Sequence, residues 1–161
     1  MIIPFGFLKQ SSTTPTNLYT AANALSSDAY EATGTAFIGA VGVTNSTETS
    51  TQHDGSFALK ATSTDGVSDR VELSLTLADA TNYEMKVWVK IETGANWLLL
   101  VWVGTTAATP TATPDVSTVS TSWQEFTIPF TTNAASQTFR FYNQGTAATA
   151  FWMDNLRIYE V

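Results

Sequence analysis

The chain has 161 residues, with seven basic against fourteen acidic side chains, one histidine and no cysteine. An acidic chain without a Lys or Arg cluster argues against nucleic-acid and anionic-membrane partners, and the absence of cysteine excludes thiol catalysis, disulfides and cysteine zinc sites. A single histidine, His53, excludes multi-histidine metal centres as well.

Threonine occurs 28 times and charged residues make up only 13 %, a composition suited to strands and poor in the side chains that solvate long helices. The opening MIIPFGFLKQ has Lys9 as its first charge, so no basic-then-apolar export signal is read there. No stretch reaches the roughly 18 apolar residues of a membrane span. Residues 1–35 are expected to form an N-terminal arm or edge strand followed by a long polar loop, and 36–161 the folded domain.

Strand signals then recur at short spacing. Residues 36–43 predict a small-residue strand interrupted by Gly39 and Gly42, and His53–Asp54–Gly55 predicts a turn. Phe57, Leu59 and Ala61 alternate after that turn. Val71, Leu73, Leu75 and Leu77 alternate against Glu72, Ser74 and Thr76, which predicts one face in the core and one in water. In 83–92, Tyr83, Met85, Val87, Val89 and Ile91 point one way, and Glu84, Lys86, Trp88, Lys90 and Glu92 the other.

The run WLLLVWV at 97–103 is apolar on both faces and predicts a central strand. Residues 104–122 carry Pro110 and Pro114 and predict a long loop, with or without a short edge strand near 116–119. Trp123 begins a strand, and Pro129 within it predicts an edge or a bulge. Phe139 and Phe141 point inward, Arg140 and Tyr142 outward. The closing AFWMDNLRIYEV loses its alternation at Asp154 and Asn155, as a β-bulge would cause. The expectation is an all-β fold, an antiparallel β-sandwich of the jelly-roll kind.

Three segments together resemble a known group: HDGSFALKA at 53–61 with VELSLTL at 71–77; NYEMKVWVKIE at 82–92; and SWQEFTIPFTT at 122–132 followed by TFRFYNQ and AFWMDNLRIYEV. Their order resembles the carbohydrate-binding-module jelly rolls of families 4, 9 and 22, which share the galactose-binding-like sandwich. The resemblance covers about residues 36–161. It implies a histidine–glycine turn at His53–Gly55, a strand opened by Trp123, and a structural calcium ion held in part by Asp154. The family's opening glutamate has no counterpart, since Phe5, Gly6, Phe7 and Leu8 stand there. The opening MIIPFGF also resembles small virion proteins of tailed bacteriophages.

Trp88 is the foremost candidate, because an indole on a solvent face suits the C–H face of a pyranose. Lys86, Lys90, Arg140, Tyr142 and Glu72 are candidates to hydrogen-bond sugar hydroxyls beside it, and Trp102 to share its groove. The same residues equally suit a subunit contact, and Trp88 equally suits cover by the 104–122 loop. Trp97 and Trp123 read as packing residues and His53 as structural. Asp154 reads either as a calcium ligand or as an acceptor of backbone N–H groups in a bulge.

No nucleophile elbow, phosphate loop or HExxH motif occurs, and no carboxylate pair is organised for glycoside hydrolysis, so no catalytic residue is assigned and no enzyme is expected. Two functions follow, with a glycan-cleaving enzyme as a remote third. The first is a structural or interaction protein that decorates or builds a particle such as a phage virion. Its expected partners are copies of itself or a shell or tail protein, and its expected place is the virion surface. The second is a carbohydrate-binding module that takes a glycan. No cofactor is required in either beyond the calcium that the resemblance implies.

Overall fold

The computed structural model describes Leu18 and residues 39–64, 69–95, 97–103, 106–107, 121–132, 136–143, 145 and 148–161. The 1–35 arm, apart from Leu18, and the 104–122 loop, apart from 106–107 and 121–122, lie outside the described residues. Ten strands are described: β1 (Gly39–Val41), β2 (Val43–Glu48), β3 (Ala58–Ser63), β4 (Arg70–Thr76), β5 (Asn82–Ile91), β6 (Trp97–Val103), β7 (Thr106–Ala107), β8 (Gln124–Thr131), β9 (Ser136–Asn143) and β10 (Ala150–Glu160).

They form two five-stranded sheets, ordered β1-β4-β9-β6-β7 and β2-β3-β10-β5-β8, with the pairings antiparallel. The chain changes sheet repeatedly, so each hydrophobic face closes on the other sheet. This is the expected jelly-roll sandwich.

The alternation in β5 sets the core. Tyr83, Met85, Val87, Val89 and Ile91 are all buried, against half-buried Glu84, Lys86, Trp88 and Lys90. Each such burial stabilises the fold by about 1.5–3 kcal/mol. Leu59, Ile128, Phe151, Met153 and Ile158 line the same wall. Val71, Trp97 and Phe141 face them from the other sheet. The Phe151 ring lies 4.5 Å from Trp97 and 5.5 Å from Phe141, so three aromatics join the layers.

An edge and a bulge follow from sequence. Pro129 lies on β8, the last strand of its sheet, where its missing N–H removes no ladder bond. In β10 the register shifts between Asp154 and Arg157, and Asn155 has a φ of 55°, so the slipped alternation is a bulge.

Two expectations are corrected. Residues 39–43 are not one strand: Gly42, with φ 64°, turns the chain from β1 in one sheet to β2 in the other. Among the described residues the run at 97–103 is penultimate rather than central, with the two-residue β7 beyond it. Among the described residues no helix is long and apolar enough to cross a membrane.

Candidate functional site

The two sheets separate the candidate residues. Lys86, Trp88 and Lys90 lie on the outer face of β5, in the β2-β3-β10-β5-β8 sheet. Glu72 on β4, with Arg140 and Tyr142 on β9, lies on the outer face of the opposite sheet. Glu72 therefore does not meet Trp88. Trp102 belongs to β6, in the sheet of Glu72, with Thr138 and Ala107 as its backbone partners, and shares no sheet with Trp88.

On the β4–β9 face, Glu72 is the cross-strand partner of Arg140, and Arg70 that of Tyr142. Glu72 Oε1 lies 2.6 Å from Arg70 Nε and 2.7 Å from Arg140 Nε, so one carboxylate holds two guanidiniums. The side chains of Arg70 and Glu72 are 25 % and 23 % exposed, open enough to reach a ligand. Arg140 donates from a terminal guanidinium nitrogen to the Tyr142 hydroxyl at 3.3 Å, and the Arg70 guanidinium lies 5.8 Å from the Tyr142 ring centre. The hydrogen bond to Glu72 raises the Arg70 pKa further, so the group stays charged.

The result is a preorganised set of planar donors, a carboxylate acceptor and an aromatic ring. Such a set can bridge neighbouring hydroxyls while the ring receives a C–H face. Arg70 was not singled out from the sequence. It stands one residue before the apolar alternation, yet it has the same parity as Glu72.

The β5–β10 face is arranged differently. The His53 imidazole stacks on the Trp88 indole, with ring centres 3.7 Å apart and planes at 14°, and Trp123 meets His53 edge-on at 6.0 Å. Asp154 fixes that turn. It is fully buried, lies opposite Trp88 across the strands, and its Oδ2 accepts the His53 N–H at 2.7 Å and the Asp54 N–H at 3.1 Å. One face of the Trp88 indole is thus taken by His53. Asp154 acts as a clamp on the turn. Calcium takes six to eight oxygen ligands. Among the described residues no group of three or more His, Cys, Asp or Glu is placed to hold a metal ion.

Further along the same face, Trp152 lies between Lys60 and Lys90, whose ammonium groups are 5.4 and 5.2 Å from its ring centre.

Beside this face Glu48 ends β2. Its carboxyl is pulled down from 4.5 to about 2, first by the Ser50 hydroxyl at 2.7 Å, then by the Ser50 amide at 2.8 Å, the Trp152 indole and the Thr49 amide at 3.0 Å. A depressed carboxylate contributes stability that is complete above about 4.5 and is lost as pH falls through about 2. A carbon-detected NMR titration is expected to give Glu48 a midpoint well below 4.5. Ser50→Ala is expected to bring it back toward that value. An ordinary midpoint in the parent would contradict the bonding described.

No protein-family model matches the chain, and no curated protein is similar to it by sequence. Solved structures do match. The CBM22-1 xylan-binding domain of Paenibacillus barcinonensis Xyn10C is 19 % identical with a TM-score of 0.69, over 83 % of this chain and 92 % of that one. The C-terminal family 22 module of Clostridium thermocellum Xyn10B is 12 % identical with a TM-score of 0.64, over 83 % and 90 %. The chain has the jelly-roll fold of the carbohydrate-binding modules. The N-terminal cellulose-binding domain of Cellulomonas fimi β-1,4-glucanase C extends the likeness to a further module, at 18 % identity and a TM-score of 0.57, over 80 % and 91 %. At these identities the likeness concerns the fold.

Proposed function

We propose that the chain is a non-catalytic module that binds a neutral β-linked glycan on the outer face of the β1-β4-β9-β6-β7 sheet. The observation that carries this reading is the Arg70–Glu72–Arg140–Tyr142 cluster, part-exposed and already ordered by its own ion pairs. Tyr142 receives the sugar ring, Arg70 and Arg140 donate to hydroxyls, and Glu72 orients both arginines and accepts. Trp102 is proposed as a further contact from the same sheet. The fold likeness to xylan- and cellulose-binding domains supports the ligand class. Glu72, held between two guanidiniums, is poorly suited to acid–base work on a glycosidic bond, which needs a carboxylate pair across the scissile bond.

Calorimetric titration of xylohexaose and cellohexaose into the full chain tests the reading. Tyr142→Ala is expected to weaken binding at least tenfold, about 1.4 kcal/mol, and Trp88→Ala to leave it within about twofold. No binding by the folded parent, or loss with Trp88→Ala alone, would overturn it.

The particle-component reading, with oligomers or a shell or tail protein as partners, has no counterpart among the three relatives named. A stable discrete oligomer by light scattering would favour it. The reading also assigns Asp154 to holding the turn rather than to calcium. Melting in calcium and in chelator is then expected to coincide, and a rise of several degrees in calcium would restore the ion.

A further inference from the structure

Four of the seven basic residues share the outer face of the other sheet: Lys60 on β3, Lys86 and Lys90 on β5, and Arg157 on β10. This gathering runs against a net charge of -7. At its centre lies Trp152, directly opposite Lys60 on one side and Lys90 on the other. Both ammonium groups are drawn to the one half-buried indole, at 5.4 and 5.2 Å from the ring centre.

Carboxylates share this face. Glu84 pairs with Lys86 at 3.2 Å, Glu48 takes Ser50 and Thr49 and also reaches the Trp152 indole, Asp154 is closed under the His53 turn, and Glu125 stands opposite Trp88. Among the described residues, no carboxylate lies within ion-pair distance of Lys60 or Lys90. Two like charges held at one aromatic ring repel each other, and a cation–π contact offsets that by only about 0.5–1 kcal/mol at an exposed site. An anion received between them removes the repulsion.

From this we infer a second binding surface, Lys60–Trp152–Lys90, for a glycan that carries carboxylates, a uronic-acid chain. The two ammonium groups take the carboxylate of one residue and the indole takes the C–H face of its ring. The footprint of one tryptophan and two lysines fits one sugar unit. It falls well short of the roughly 800 Å² that a stable protein partner covers on each side. The overall negative charge does not prevent this, because screening confines electrostatics to about 8 Å at physiological salt. The surface lies on a different sheet from the Tyr142 cluster and does not depend on that cluster's role.

Affinity electrophoresis of the full chain through gels holding polygalacturonate, neutral xylan or polyglutamate tests it. The parent is expected to be retarded by polygalacturonate at low salt. Lys60→Ala/Lys90→Ala is expected to lose at least tenfold in affinity, Lys60→Arg/Lys90→Arg to keep most of it, and Tyr142→Ala to bind as the parent does. Trp152→Ala reports the stacking, with circular dichroism to confirm that it folds. Equal retardation of the parent and the double alanine variant, or no retardation of the parent, would overturn the inference. Equal retardation of the parent by polyglutamate would overturn the assignment to a sugar.

Discussion

Gly42→Ala is expected to destabilise the protein by about 3–5 kcal/mol, among the largest effects of any single methyl group in this chain. Gly42 has a φ of 64°, which costs an L-residue about 1–2 kcal/mol. Space adds the larger part, for an added Cβ would fall on Asp69 Oδ1 and 2.5 Å from its Cγ. Asp69 cannot yield cheaply. It is 5 % exposed, and its Oδ2 accepts from Ser63 Oγ at 2.6 Å and the Thr64 N–H at 2.9 Å.

Ser63 Oγ in turn accepts from Asn143 Nδ2 at 2.9 Å, and the Asn143 N–H donates to the Asp69 carbonyl at 2.8 Å. The corner at which β1 leaves one sheet for β2 in the other is therefore bonded to the ends of β3 and β9. Displacing the carboxylate breaks charge-assisted bonds in a buried place. Urea denaturation of parent and variant measures the effect. Because clash and carboxylate are one interaction, Gly42→Ala/Asp69→Ala is expected to cost less than the two single changes added together. A loss below about 1 kcal/mol for Gly42→Ala would contradict the account.

Asp154→Ala is expected to cost about 3 kcal/mol, a fall in melting temperature of about 6–10 °C. The residue holds two amides of the 53–55 turn from a strand about a hundred positions later. Without it, the turn loses its anchor and the His53 imidazole its hold on Trp88. The tryptophan emission is therefore expected to shift to the red, as Trp88 meets water. His53→Ala is expected to give the spectral change with a smaller loss of stability, since it keeps both amide bonds. Calorimetry and fluorescence on the three proteins separate the clamp from the stack. An Asp154→Ala variant with parental melting and emission would contradict the clamp.

Alternation along a strand is a local property, and it was readable wherever apolar residues marked it. The inward set of β5, the outward Arg140 and Tyr142, the edge at Pro129 and the bulge at Asp154 all follow from period and from backbone chemistry. β2 was not readable, because VTNSTE carries one large apolar side chain and forms the edge of its sheet. Nor was the sheet change at Gly42, since nothing in a period says which sheet a strand joins.

The same blindness joined Trp88 and Tyr142 on one imagined platform. Period places each on an outer face, but there are two outer faces, and strand order alone assigns them. Trp88 looked open for a related reason. Its cover comes from His53 and is tied by Asp154, contacts between distant segments that no local pattern encodes. Arg70 escaped notice because only its pairing with Tyr142 and Glu72 gives it a role.

The most direct test of the central claim is an amide chemical-shift map of the full chain titrated with a neutral xylo-oligosaccharide. The account predicts saturable shifts centred on Arg70, Glu72, Arg140 and Tyr142 and their strand neighbours, with Trp88, Trp152 and the 53–55 turn unmoved. Saturable shifts centred on Trp88 and that turn, or a spectrum unchanged at millimolar sugar, would contradict it.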